Sequence, residues 1–278
     1  IHIIPNLHNK GLKLQIIDAA THMAKNHKNF ILLEDDIVVS NKFLNYMNSS
    51  ISFYEKSNIF HINGYNYNNF INNPSKAYIS PLIFPWGWAT WSDKWLSFVE
   101  SQDFDKDKIT NSTKKQKNRF NFYGLMNNYY QIDDNISGKI STWFIFWYQH
   151  IILKDGFSLT PGKSHTLNIG FDGTGTNSGN KNGIKNIYNT KLNKKQTIIF
   201  PKKYQIFNLN LFVSCYFHIK KNLNDRFTYH SKKLTLKIKY HLIKIKTMIY
   251  SKYQSLYCRI FFNSKNTPLE NIVRQNRK

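Results

Sequence analysis

The pattern of apolar and polar residues in the first 65 positions predicts helices and strands in turn. Apolar residues recur at helical spacing over residues 12–24 and 43–54, whereas residues 30–33 and 60–64 are short apolar runs that favour strands. Residues 2–4 have an extended pattern as well. Strands that alternate with helices are typical of an α/β protein, and we expect a mixed, mainly parallel sheet flanked by crossover helices.

The pattern is less regular further along the chain. Residues 65–80 are rich in Asn and predict a surface loop, and residues 101–118 are polar without a hydrophobic period and predict a flexible insertion. Residues 119–155 again have helical spacing, interrupted by Gly138. A short strand is expected at residues 156–161, before a glycine-rich loop that begins at Asn168.

Three consecutive carboxylates, Glu34, Asp35 and Asp36, directly follow the apolar run 30–33. Burying an unpaired charge inside a sheet is costly. We therefore expect the acids at the carboxyl end of the strand, which is where open α/β sheets bind their ligands. Adjacent carboxylates repel one another unless a cation lies between them, and hard divalent cations prefer oxygen ligands. The triplet predicts a metal-assisted site.

Four of the six tryptophans of the chain lie within ten residues. Indole rings have flat faces on which sugars or bases stack, and Gly87 would let the backbone approach a bound group. Trp86 and Trp88 flank this glycine and are the better candidates for ligand contact. Trp91 and Trp95 are four apart and suit the buried face of a helix. The alternative is that the whole segment belongs to the core.

Positive charge is concentrated at the end of the chain. The net charge is +23, and residues 201–278 contain seventeen Lys and Arg against two acids. We assign residues 1–200 to one α/β domain and residues 201–278 to a basic, largely helical region. Its apolar residues recur three or four apart: Ile238, Leu242, Ile245, Ile249, Tyr253, Leu256 and Ile260. Such a helix can bind an anionic membrane surface. It can equally pack on the main domain or on a partner helix.

Other features bear on location. The sequence has no signal peptide and no run of about 18 apolar residues that could span a membrane. Cys215 and Cys258 are the only cysteines, which favours a reducing compartment. We expect a cytoplasmic protein, peripheral at the inner face of the plasma membrane, with no specific nucleic-acid partner because the basic region contains no nucleic-acid module. Because the first strand-like segment starts at Ile1, we also expect the domain to lack its first strand.

The motifs occur in an order that resembles a known family. The acidic triplet, the segment Pro-Trp-Gly-Trp-Ala-Thr-Trp (residues 85–91), residues 138–147, and Asn-Ile-Gly-Phe-Asp-Gly-Thr-Gly (residues 168–175) are similar to bacterial GT-A-fold nucleotide-sugar glycosyltransferases of surface polysaccharide biosynthesis. That family is distantly similar to N-acetylglucosaminyltransferase I. The resemblance covers about residues 1–180.

The resemblance implies a metal-dependent, inverting transfer of a sugar from a nucleotide-diphosphate donor to a glycan or lipid-linked acceptor. Asp36 matches the ligand of Mn²⁺ or Mg²⁺, and Glu34 and Asp35 would contact the ribose or metal-bound waters. The ion neutralises charge on the departing nucleoside diphosphate.

The same resemblance implies roles for the other two motifs. Trp86, Gly87 and Trp88 would shape the donor-sugar or acceptor pocket. Backbone N–H groups of the loop that contains Gly173 and Gly175 would close over the phosphates.

Two positions depart from the family pattern. Relatives have a carboxylate beside the first Trp of the segment that begins at Trp143, as general base, and here the neighbours are Ser141, Thr142 and Phe144. The substitute candidates are Asp133, Asp134 and Asp172. Asn177 stands where relatives have a histidine that can bind metal. These departures leave an alternative, a non-catalytic glycosyltransferase-like protein that binds or scaffolds at the membrane.

Overall fold

The computed structural model describes residues 2–66, 75–101, 104–122, 127–170, 192–193 and 199–201. The helices within them are α1 (Gly11–Asn26), α2 (Phe43–Tyr54), α3 (Ser92–Ser101), α4 (Asp107–Thr110), α5 (Lys114–Phe120), α6 (Tyr129–Ile136) and α7 (Phe144–Leu153). The strands are β1 (Asn29–Leu32), β2 (Ile37–Val39), β3 (Ile59–Asn63), β4 (Ala77–Ser80), β5 (Trp88–Trp91), β6 (Phe157–Pro161) and β7 (Thr166–Asn168). The predicted α/β class is confirmed.

Five strands form a mixed sheet in the order β1-β5-β3-β6-β4, and β2 pairs with β7 in a separate ribbon. Among the described strands only β3 and β6 run parallel, and the remaining pairs are antiparallel. The prediction of a mixed sheet is confirmed, and the prediction that it is mainly parallel is wrong. The reason lies in two strands that the sequence pattern does not predict, β5, which lies antiparallel between β1 and β3, and β4, which pairs antiparallel with β6.

The sheet is covered by apolar side chains on both faces. Phe30 and Trp88 belong to the cluster that packs under α1, α3 and α7, whereas Ala89 and Trp91 belong to the cluster under α2. This division follows from the alternation of side chains along a strand. All four residues of β5 are buried, but β1 lies at the edge of the sheet and has Phe30 as its one buried residue.

Segments with a clear helical period fold as predicted. Residues 12–24 lie in α1, and residues 43–54 are α2. The interruption predicted at Gly138 separates α6 from α7, and its φ of +75° is the left-handed conformation that glycine adopts after a helix end. The strand predicted at residues 156–161 is β6.

Other local predictions are wrong. Residues 2–4 form no strand, residues 77–80 form β4 instead of a loop, and the segment predicted as an insertion contains α4 and α5. The start of α5 has a readable signal, because Thr113 and Gln116 form a reciprocal capping box. Trp91 lies in β5 rather than on a helix, although Trp95 is fully buried on α3 as expected.

In the part of the chain that the structure describes, no helix is both long and apolar enough to cross a bilayer. The predicted basic helical region, except Pro201, lies outside the described residues, as do positions 171–183 of the glycine-rich loop.

Candidate functional site

Glu34, Asp35 and Asp36 lie in the turn between β1 and β2, which we call the acidic turn. The backbone N–H of Ile37 donates to the Glu34 carbonyl oxygen at 3.2 Å across this turn. Asp35 is exposed, and Glu34 and Asp36 are half-buried. The prediction that the acids follow the carboxyl end of the first strand is therefore confirmed.

Segments that are far apart in the sequence meet at the acidic turn. The pairing of β1 with β5 places Leu32 opposite Trp88, so that the 85–87 loop lies beside the turn. The pairing of β2 with β7 places Ile37 opposite Asn168. The backbone N–H of Ile169 donates to the Asp36 carbonyl oxygen at 2.9 Å.

Two backbone carbonyl groups of the 85–87 loop accept hydrogen bonds from neighbouring segments. The N–H of Gly64 donates to the Gly87 carbonyl oxygen at 2.8 Å, and the Thr166 hydroxyl donates to the Trp86 carbonyl oxygen at 2.7 Å. Gly87 has φ +73°, and a Cβ there would lie 2.7 Å from Thr166 Cγ2 and 3.0 Å from Leu33 Cδ2. Glycine is therefore required at this position by both conformation and space.

A second glycine contacts the carboxylate of Asp36 itself. A Cβ on Gly170 would overlap with Asp36 Oδ2, so the backbone can lie this close only without a side chain. The Gly170 N–H donates to Asn168 Oδ1 at 2.8 Å. The Asn168 side chain also lies beside the Asp36 carboxylate and lowers the pKa of that group. Asn168 therefore links the glycine backbone to the acidic turn.

Burial and neighbouring negative charge destabilise the charged forms of Glu34 and Asp36. Burial, and then the charges of Asp36 and Asp35, raise the pKa of Glu34 to about 7. Burial and the charge of Asp35 raise the pKa of Asp36, against the opposing effect of the hydrogen bond from Asn168. At neutral pH the turn therefore contains closely spaced negative charge, which a bound cation would relieve.

The donor set of the turn fits a divalent ion held jointly with a phosphate ligand. Asp36 Oδ1 is buried and has no hydrogen-bond partner among the described residues. Within those residues no group of three or more His, Cys, Asp and Glu side chains is arranged to hold a metal. Mg²⁺ sites in phosphate-transferring enzymes commonly use one or two carboxylates, with water and substrate oxygens as the other ligands. Asn177 lies outside the described residues.

The two tryptophans predicted to contact a ligand lie in different environments. Trp86 is half-buried beside the acidic turn, and its ring meets Tyr65 edge-on at 4.6 Å between centroids. Trp88 is fully buried, and its ring stacks on His61 at 5.1 Å and on Trp143 at 5.2 Å. Trp88 therefore packs in the core, which was the alternative interpretation of this segment, and Trp86 remains as the ring that can border a ligand.

The three candidate bases are also separated. Asp133 and Asp134 lie on α6 and form ion pairs, Asp133 with Lys106 at 2.6 Å and Asp134 with Lys139 at 3.1 Å. The hydrogen bonds and ion pairs of the described residues do not join either of them to the acidic turn. Asp172 lies outside the described residues, as do Gly173 and Gly175.

His165 is a contributor to the site that sequence reasoning missed. It is buried directly before β7, its ring stacks on Tyr46 at 4.7 Å, and its Nδ1 lies 2.9 Å from the Ser40 hydroxyl. The Ser40 N–H donates to the His165 carbonyl oxygen at 2.8 Å, which fixes the far end of the β2–β7 ribbon. Burial lowers the pKa of His165 to about 4, so that the ring is neutral. A lone histidine has no spacing signal that could have revealed this role.

No protein-family model matches this chain, and no curated protein matches it. The functional assignment therefore depends on the residues and their geometry.

Proposed function

We propose that this chain is a metal-assisted glycosyltransferase of the GT-A type, which moves a sugar from a nucleotide-diphosphate donor to a glycan or lipid-linked acceptor in cell-surface polysaccharide synthesis. The proposal is supported by one observation above all. The acidic turn, the Trp86–Gly87 backbone and residues 168–170 lie together, although they are far apart in the sequence. They come from three of the segments in which the sequence resembles this family.

Asp36 is the residue proposed to hold Mn²⁺ or Mg²⁺, since its Oδ1 is buried without a partner among the described residues. Such an ion, when bound, supplies positive charge that offsets the charge on a nucleoside diphosphate leaving group. Asn168 lies beside the Asp36 carboxylate and favours its charged form. Asp35, which is exposed, and Glu34 are placed to accept hydrogen bonds from ribose hydroxyls or from metal-bound water.

Trp86 contributes a half-buried ring beside the acidic turn. An indole face suits a sugar or a base, and we propose that this ring borders the donor. Gly87 and Gly170 serve a different purpose, because the absence of their side chains lets neighbouring protein atoms pack closely around the turn.

Direct displacement with inversion needs a base that takes the proton of the acceptor hydroxyl. Asp133 and Asp134 lie on α6, where they form ion pairs with Lys106 and Lys139. Among the described residues, neither forms a hydrogen bond or an ion pair with the acidic turn. Of the three candidates we therefore propose Asp172, which follows Gly170 by two positions in the sequence. We further propose that residues 201–278 hold the enzyme at the inner face of the plasma membrane through their positive charge.

The test is thermal unfolding of the 278-residue chain with a panel of UDP-, GDP- and dTDP-sugars, with and without Mn²⁺. A ligand that binds only the folded state stabilises it by about 2.7 kcal/mol at a concentration of a hundred times its Kd. We expect one donor to raise the unfolding temperature only when Mn²⁺ is present, and we expect Asp36→Asn to abolish the rise.

The matched control is Asp18→Asn, which removes a carboxylate from an exposed ion pair with Lys10. Exposed pairs of this kind contribute little to stability, so this variant should keep the full response. A donor response that survives Asp36→Asn, or that does not depend on the metal, would refute the assignment of Asp36. Release of free nucleoside diphosphate in the presence of acceptor then separates turnover from binding alone.

A further inference from the structure

An open concavity lies beside α6, and none of the residues of the acidic turn lines it. Its volume is about 310 Å³, within the range of small-molecule pockets. It is lined by Lys106, Thr110, Asn127, Tyr129, Tyr130 and Asp133.

The charges that line this pocket cancel. Lys106 Nζ lies 2.6 Å and 2.7 Å from the two carboxylate oxygens of Asp133, so the ammonium and the carboxylate are paired with each other. The other lining groups are hydroxyls, an amide and aromatic rings. The Asp133 carboxylate already neutralises Lys106 and would repel a phosphate or nucleotide, whereas an uncharged, hydroxyl-rich ligand can hydrogen-bond to both members of the pair.

The two tyrosines supply the apolar surface of the pocket. Tyr130 is 65% exposed, so its ring is accessible to a ligand. The Tyr129 ring is half-buried, and its centroid lies 5.7 Å from Lys106 Nζ. A ring face with hydroxyl, amide and carboxylate groups around it can stack on a ligand and also form hydrogen bonds with it. A pyranose ring uses both kinds of contact, because it has an apolar face and hydroxyl groups around its edge.

We propose that this pocket binds an uncharged saccharide, with Tyr130 as the stacking ring and Asp133 and Asn127 as hydrogen-bond partners of its hydroxyl groups. On this proposal Asp133 is a binding residue and not the general base. The further step, that the saccharide is the acceptor glycan, rests on the proposed glycosyltransferase function.

The experiment measures saccharide binding to the 278-residue chain by saturation-transfer NMR and calorimetry. The probes are maltotriose, cellotriose, chitotriose and N-acetyllactosamine, with inorganic phosphate as the charged competitor. We expect at least one trisaccharide or disaccharide to bind, phosphate not to compete, and Tyr130→Ala to weaken binding by at least about fivefold through lost stacking. Asp133→Asn should weaken it as well, because an amide replaces the charged acceptor of the hydrogen bonds from the sugar hydroxyl groups.

Ile136→Ala is the matched control, because Ile136 is 60% exposed on the same helix and does not line the pocket. This variant should bind as the wild type does. Since Tyr130 is mostly exposed, its replacement leaves the fold intact, which the unfolding temperature verifies. Absence of binding by every probe, or binding that Tyr130→Ala does not change, overturns the proposal.

The two sites can fail separately. Saccharide binding that persists in Asp36→Asn, without any donor response in the wild type, supports the pocket and refutes the transferase assignment. A Mn²⁺-dependent donor response with no saccharide binding supports the transferase assignment and refutes only the proposal that the pocket binds a saccharide. Loss of acceptor-dependent turnover in Tyr130→Ala, with donor binding retained, supports the acceptor role.

Discussion

Replacing Gly87 with alanine tests how tightly the backbone around the acidic turn is packed. The new Cβ would face Thr166 Cγ2 at 2.7 Å and Leu33 Cδ2 at 3.0 Å, and the residue would have to keep φ at +73°. Thr166 is fully buried, and its hydroxyl donates to the Trp86 carbonyl oxygen, so its Cγ2 cannot retreat without disturbing that hydrogen bond, whereas Leu33 is 44% exposed and can rotate away. We therefore expect a loss of stability together with a displacement of the acidic turn.

The two contributions can be estimated separately. A left-handed conformation costs an L-residue with a side chain about 1–2 kcal/mol. Inserting a methyl group into a well-packed interior costs about 1–3 kcal/mol. Together they predict that Gly87→Ala lowers the free energy of unfolding by about 2–5 kcal/mol, a large share of the stability of a typical domain.

The control is Gly138→Ala, because Gly138 has a similar φ of +75° and no atom within 4 Å of where its Cβ would be. It should lose only the conformational term, about 1–2 kcal/mol. Urea unfolding followed by tryptophan fluorescence measures both variants. If Gly87→Ala loses no more stability than Gly138→Ala, the packing of the 85–87 loop against β7 is not as described.

A second-site change identifies the clashing atom. Thr166→Ser removes Cγ2 but keeps the hydroxyl that donates to the Trp86 carbonyl oxygen. In the double variant Gly87→Ala/Thr166→Ser we expect the steric part of the loss to be recovered and the conformational part to remain. A double-mutant cycle without coupling between the two positions would contradict this explanation.

Three further results are expected. Gly170→Ala should abolish the Mn²⁺-dependent donor response in thermal unfolding, because its Cβ would overlap with the Asp36 carboxylate; an unchanged response would contradict this. Glu34→Gln should raise the free energy of unfolding more at pH 8 than at pH 4, because the raised pKa of Glu34, about 7 against an ordinary 4.5, makes its ionisation destabilising as the pH rises through that window. Burial lowers the pKa of His61 to about 3 and of His165 to about 4, so the unfolded chain takes up protons below pH 6.5 that the folded chain does not. In the Glu34→Gln background, urea titrations should therefore show stability falling by on the order of 2 kcal/mol per histidine from pH 7 to pH 5, and a flat profile would refute the neutral buried state.

The parts of the fold that could be predicted are those set by neighbours in the sequence. The helical spacing of apolar residues in α1 and α2, and the apolar run before the acids, involve only residues that are close in the sequence. These patterns therefore predict the correct elements and the correct position of the acidic turn. Strand direction is not local. The alternation of helices and strands suggested parallel crossovers, but β5 pairs antiparallel with both β1 and β3.

The candidate site was predictable to a similar degree. The triplet and Gly87 were found from their chemistry, since carboxylates and a glycine between tryptophans are unusual beside an apolar strand. Trp88 was misjudged, because an indole that binds a sugar and an indole in a core have the same sequence signature. Asn168 could not be assigned a role, because its contact with Asp36 depends on the distant pairing of β2 with β7.

That pairing also bears on the order in which the protein can fold. Ile37 and Asn168 are more than a hundred residues apart in the chain, and contacts of such long range form slowly because closing the loop between them costs entropy. During synthesis, Glu34, Asp35 and Asp36 therefore emerge long before the strand that completes their surroundings. A nascent chain that has not yet reached Asn168 has the carboxylates but lacks the amide and the glycine backbone that orient them. If the proposed Mn²⁺ response exists, a stalled nascent chain should therefore show it only after β7 has left the ribosomal exit tunnel and has paired with β2.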